Sequence, residues 1–241
     1  RYYILLSVIV LSLMLNSSLH ATGKGSFDKP NFNFPKTVIQ NAETKLQQAL
    51  KNGNGEETVS AIIQSSLAKS MISSDSLPNI LTNIENIIIN EKNENIKSIL
   101  YLLEAKIINS YYNDNRYLLN RRNGNNTSTE NIYEIFEWNI QQFKLKTSSL
   151  LDSALKVETL IKTPVTTYPK LIVINDISID TYPSLYDFVA YQAIDIYKSI
   201  GAKYYWNPFV RYQPTFDEEL CNKVVDIYNS IISSHRTEAP R

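Results

Sequence analysis

The chain of 241 residues carries 24 basic and 24 acidic side chains, for a net charge of zero and a pI near 6.9. That balance removes the electrostatic case for nucleic acid or an anionic membrane surface as partner, and the single cysteine, Cys221, excludes a disulfide framework. Six glycines among 43% hydrophobic residues favour helix over a turn-rich sheet.

Residues 4–15 form one apolar run, from Ile4 to Leu15. It is shorter than the roughly 20 residues that cross a bilayer and has the length of a signal-peptide apolar region. Ser17, Ser18 and Ala21 supply small residues for cleavage, so residues 1–21 read as a signal peptide and the mature chain as periplasmic or cell-envelope. Residues 16–25 contain no cysteine for a lipid anchor, which leaves export through the signal peptide as the membrane contact. Residues 22–34 read as an extended leader.

Pro35 suits a first helical position, and Val38, Ile39, Ala42, Leu46, Ala49 and Leu50 follow at helical spacing. Asn52-Gly53-Asn54-Gly55 ends that helix. A second begins near Glu56 with Val59, Ile62, Ile63, Leu67 and Met71, and Ser73, Ser74 and Asp75 break it. A third opens at Ser76-Leu77-Pro78 and carries Ile80, Leu81, Ile84, Ile87 and Ile88. A fourth spans about Asn93 to Tyr112, with Ile96, Ile99, Leu100, Leu103, Ile107, Ile108 and Tyr111 as its stripe. Residues 113–129 read as a solvated polar loop, in which the basic and aromatic mixture of Arg116, Tyr117, Arg121 and Arg122 is a candidate partner contact. Ser128 and Thr129 are placed to cap a fifth helix carrying Ile132, Ile135, Phe136, Ile140 and Phe143. A further helical stretch is predicted over residues 148–162.

Pro164 and Pro169 break the pattern, and residues 163–182 read as an extended linker in which Leu171-Ile172-Val173-Ile174 is a strand or a buried extended segment. Pro183 then starts a helix with Leu185, Phe188, Val189, Ala193, Ile196 and Ile200 to one side, and Gly201 ends it. Tyr186 and Asp187 fall on the other side, available for contacts. Residues 202–214 are an aromatic turn-rich stretch, and its Trp206 is a further candidate contact. Thr215 and Glu218 form a capping box opening the last helix, with Leu220, Val224, Val225, Ile227, Tyr228, Ile231 and Ile232. The predicted fold is mostly α, an irregular helical-hairpin (tetratricopeptide-like) array over 35–162, with a continuation over 183–233 and a truncated end at 234–241.

Chemistry is sparse. His20 lies in the signal peptide and His235 near the end, so neither a metal-binding His-Glu-x-x-His helix nor a nucleophilic triad is present. Asn52-Gly53-Asn54-Gly55 lacks the Lys-Ser/Thr of a phosphate loop. Cys221 stands on the first turn of the last helix, where Glu218 and Glu219 oppose a thiolate. The expectation is a non-enzymatic protein with no catalytic residue, cofactor or metal. The aromatics between Tyr204 and Tyr212 suit core packing or a carbohydrate or peptide groove.

Four pieces carry a family resemblance: Tyr111-Tyr112-Asn113-Asp114-Asn115-Arg116-Tyr117 with Arg121-Arg122; Glu137-Trp138; Ser149-Leu150 through Leu160, Thr163-Pro164-Val165 and Tyr168; and Pro183-Ser184-Leu185-Tyr186-Asp187-Phe188. In this order they resemble the N-terminal region of Bacteroidetes-type bacterial alpha-2-macroglobulin family proteins. The resemblance implies a helical module at the head of a large periplasmic protein that traps or inhibits proteases. Its partners would be downstream macroglobulin-like domains of the same chain, an envelope protein or a protease. The family's thioester motif, Cys-x-Glu-Gln, is not met, since Asn222-Lys223-Val224 follows Cys221. The alternative is an exported helical glycan-binding protein of the SusD-like type.

Overall fold

A computed structural model describes residues 34–122, 128–129, 131–172, 182–204 and 214–236. The expected signal peptide (residues 1–21), residues 22–33 of the expected leader and Trp206 lie outside the described residues. The described chain is mostly α, compatible with an array of helical pairs.

Helix α1 (Pro35–Asn52) ends on Gly53, whose φ of 64° is in the left-handed region that glycine enters without a steric cost. There the Asn54 N–H donates to the Ala49 carbonyl at 2.9 Å, closing the helix end. The Asn54 side chain then accepts from the Glu57 N–H at 3.2 Å and starts α2 (Gly55–Ile72). Two residues thus reverse the chain and lay α1 on α2. Gly55 has a separate role. A β-carbon there would stand 2.6 Å from Cγ1 of Ile96, a β-branched residue that is 1% exposed and cannot swing away. Gly55→Ala is therefore expected to destabilise the fold by about 1–3 kcal/mol in urea denaturation. An unchanged midpoint would mean that this approach of α2 to Ile96 is slack.

Ser73 caps a short 3₁₀ turn (Ser74–Ser76), which feeds α3 (Leu77–Asn90). Helix α4 (Glu94–Leu119) begins where the Asn93 side chain accepts from the N–H groups of Asn95 and Ile96 at 3.0 and 3.3 Å. It continues through residues 113–119, which the sequence reading assigned to a loop. Asn and Asp are weak helix formers. However, burial of Tyr112 and Leu119 holds these turns in place, an override of propensity by packing.

The predicted fifth helix is also corrected. Ile132–Glu134 is a single 3₁₀ turn capped by Asn131, and Ser128 and Thr129 do not cap it. The chain restarts as α5 (Ile140–Leu155) at a reciprocal capping box between Asn139 and Gln142, with bonds of 3.0 and 3.1 Å. Residues 148–162 are not one helix, because α5 stops at Leu155 and one further turn, α6 (Thr159–Lys162), stands apart.

The linker is pinched at its base. The Leu185 N–H donates to the Thr163 carbonyl at 2.7 Å and the Val165 N–H to the Pro183 carbonyl at 3.3 Å. Leu171 and Ile172 are buried, and residues 173–181 lie outside the described residues. Helix α7 (Leu185–Gly201) leads into a short antiparallel pair, β1 (Ala202–Tyr204) with β2 (Pro214–Phe216), in which Ala202 faces Phe216 and Tyr204 faces Pro214. Thr215 is paired with Lys203 in this hairpin, so it does not cap the last helix, α8 (Glu218–Arg236). Asp217 stands at the cap position instead. Its N–H donates to the Gly201 carbonyl at 3.0 Å, and its carboxylate accepts from the Leu220 N–H at 3.5 Å and from Lys144 at 2.8 Å.

One apolar core runs from Leu46 to Ile231. Its axis is α4, packed upon by α2, α3, α5, α6 and α7. Apart from partly covered Tyr101, every residue of α4 from Ser98 to Ile108 is buried, the pattern of a helix covered all round. Polar residues on such a helix need partners. Ser98 donates to the Ala154 carbonyl at 2.7 Å.

Candidate functional site

The extra turns of α4 border a concavity. A cavity of about 440 Å³ lies between the 74–76 turn, the start of α3 and the last turns of α4. Leu77, Ile80 and Phe136 give it an apolar wall. Tyr111, Asp114, Asn115 and Arg122 supply the polar groups, with Asp75 and neighbouring serines at the turn.

Local structure fixes several of these. The Tyr111 ring lies between Phe136 and Phe143, at centroid distances of 5.7 and 5.8 Å, and burial pushes its hydroxyl pKa up. Asn115 donates to the Tyr111 carbonyl one turn back at 2.9 Å. Arg122 donates through one terminal nitrogen to the Trp138 carbonyl at 2.9 Å, which tethers the end of α4 to the segment before α5. Asp114 has no hydrogen-bond or ion-pair partner among the described residues, and partial burial alone raises its carboxyl pKa.

The residues singled out by sequence do not form one site. Arg116 reaches the Ser199 carbonyl at 2.7 Å and lies 5.1 Å from the Tyr112 ring centroid. It sits at the C-terminal end of α7, where a cation meets unsatisfied carbonyls. Tyr117 and Arg121 pair with each other on the outer surface, the guanidinium 4.4 Å from the ring centroid. Of the four, Arg122 alone borders the cavity. Its companions Tyr111, Asp114 and Phe136 were missed as site residues. The signal was the spacing of Tyr111, Asp114 and Asn115, which share a face only if the helix continues past Tyr112.

Tyr186 and Asp187 are corrected. Both are buried, with Asp187 at 0% exposure, so neither is available on the surface. Asp187 accepts from the Ser184 N–H and hydroxyl at 3.0 and 2.6 Å while Ser184 caps the Asp187 N–H, a capping box at the head of α7. Its other oxygen lies 2.9 Å from Nε2 of His235 on α8. The carboxylate that looked exposed on a helical wheel closes α7 and pins the last turn of α8.

Two further ionisable groups are buried on α4. Glu104, at 0% exposure, lies 3.3 Å from Lys146, which also meets Glu85 at 2.6 Å. Burial raises the Glu104 pKa to about 7 against the pull of Lys146. Burial likewise lowers the Lys106 pKa to about 8, opposed by the charge of Asp195.

Helix α8 presents a different kind of surface. Leu220, Ile227 and Ile231 face the core, while Cys221, Val225, Tyr228 and Ile232 are exposed, the last three at 50, 37 and 51%. Their spacing of four, three and four residues aligns them along one side of the helix. The Tyr191 ring borders Tyr228 edge-on at 6.3 Å.

Among the described residues, no group of three His, Cys, Asp or Glu side chains is placed to hold a metal ion, and no helix is long and apolar enough to cross a membrane. Comparison of the chain with protein-family models, with curated proteins and with solved structures gives no significant match to any of them.

Proposed function

We propose that this chain is a non-enzymatic helical interaction module of an exported, macroglobulin-like envelope protein, and that the outer stripe of α8 docks on the downstream domains that the family resemblance implies. The observation that carries this reading is the stripe itself. Val225, Tyr228 and Ile232 lie in one line on a helix whose adjacent face, with Leu220, Ile227 and Ile231, is already satisfied by the core. A helix with a second apolar side has the form of an element buried on two faces. The setting, in protease trapping or inhibition at the envelope, comes from the resemblance.

The test begins with the gene. Read past Arg241, it should encode further β-rich domains. The adjoining domain, expressed separately, should bind this chain, and the double substitution V225D/I232D should weaken binding by at least about tenfold without altering far-UV circular dichroism. A gene that encodes no such domains, or binding indifferent to the double substitution, would overturn the proposal.

A further inference from the structure

We propose that the cavity at the end of α4 binds a small zwitterion with an apolar body, a free apolar amino acid. The geometry matches that chemistry on three counts. The cavity wall carries groups of opposite charge that do not neutralise each other, since Asp114 has no partner among the described residues and Arg122 is engaged by the Trp138 carbonyl. An ammonium placed against Asp114 and a carboxylate against the remaining donors of Arg122 would satisfy both, and charge-assisted hydrogen bonds are the strong ones. Leu77, Ile80 and Phe136 line the same cavity and would bury an aliphatic or aromatic side chain beside the charged end. The volume of about 440 Å³ falls in the range of small-ligand sites.

A neutral sugar fits less well. It would stack on Tyr111 and Phe136, but its hydroxyls would leave the Asp114 charge without a counter-ion in a partly desolvated place. Asp75 adds a second carboxylate at the rim, so the cavity carries two acids to one base. The ammonium should therefore matter more to binding than the carboxylate. This inference is independent of the docking assigned to α8, and each can fail without the other.

The test is isothermal titration calorimetry of the whole chain with L-leucine, L-phenylalanine, leucinamide, N-acetyl-leucine and glucose. Saturable binding of at least one of the two amino acids is expected. Removing the positive charge in N-acetyl-leucine, or the negative one in the variant Asp114→Asn, should weaken binding by about tenfold or more, and leucinamide should lose less. The variant should keep the wild-type circular dichroism, because Asp114 makes no hydrogen bond among the described residues. No binding of either amino acid, N-acetyl-leucine binding as well as leucine, or glucose binding in preference to both, would each overturn the assignment.

Discussion

Glu104→Gln is expected to remove a pH dependence that the wild-type fold carries. In the folded chain the Glu104 pKa is raised from 4.5 to about 7, chiefly by burial. Between those values the native state holds a proton that the unfolded chain has released, so stability falls as pH rises. The carboxyl imposes no penalty below pH 4.5 and its full penalty above pH 7. A shift of that size corresponds to about 3 kcal/mol. Gln has the same shape and no charge, so the variant should show little decline across the window and exceed the wild type in stability at its upper end. Lys146 stays paired with Glu85 in the variant. Urea denaturation of both proteins at both ends of the window decides the matter: a stability difference between wild type and variant that does not change with pH would show that the protonation of Glu104 is the same in the folded and unfolded chain.

The second large effect is expected at Phe143. Its ring is fully buried, with centroids of Tyr111, Tyr112 and Trp138 at 5.8, 5.9 and 5.4 Å. It joins α5 to the last turns of α4 and to the segment leading into α5. Phe143→Ala removes the shared partner of three rings and leaves a cavity, which typically costs about 3–5 kcal/mol. Phe143→Leu should cost much less, because most of the volume is kept. The alanine variant should also lose near-ultraviolet circular dichroism, since Trp138 and both tyrosines lose a fixed neighbour. Equal effects of the two substitutions would mean that the aromatic cluster is loosely packed.

The apolar stripes from Val38 to Ile108 are legible in the sequence because an amphipathic helix must place its core residues at that spacing. The capped turns of this half are legible for a similar reason, since Gly53 and Asn54 state their geometry locally. What escaped reading depends on partners distant in the chain. Residues 113–119 look like a loop by composition and are helical because Leu119 is buried and Arg116 reaches Ser199 on α7. Asp187 looks like a surface acid until His235 closes over it. Thr215 offers a plausible cap by pattern, and pairing with Lys203 commits it to a strand. The cavity shares this origin. Its residues come from the α2–α3 turn, the end of α4 and the segment before α5, and no local motif joins them.

The all-round cover of α4 has a consequence for biogenesis. Synthesis delivers the chain from its N-terminus, so among the described helices α4 emerges when α1, α2 and α3 are the ones already made. The sides that α5, α6 and α7 will cover stay open until those helices follow. During that interval the nascent chain exposes apolar surface of the sort that holdase chaperones bind and that drives self-association. Chains released before α7 should therefore aggregate more than chains released after it, measured as the pelleted fraction on expression.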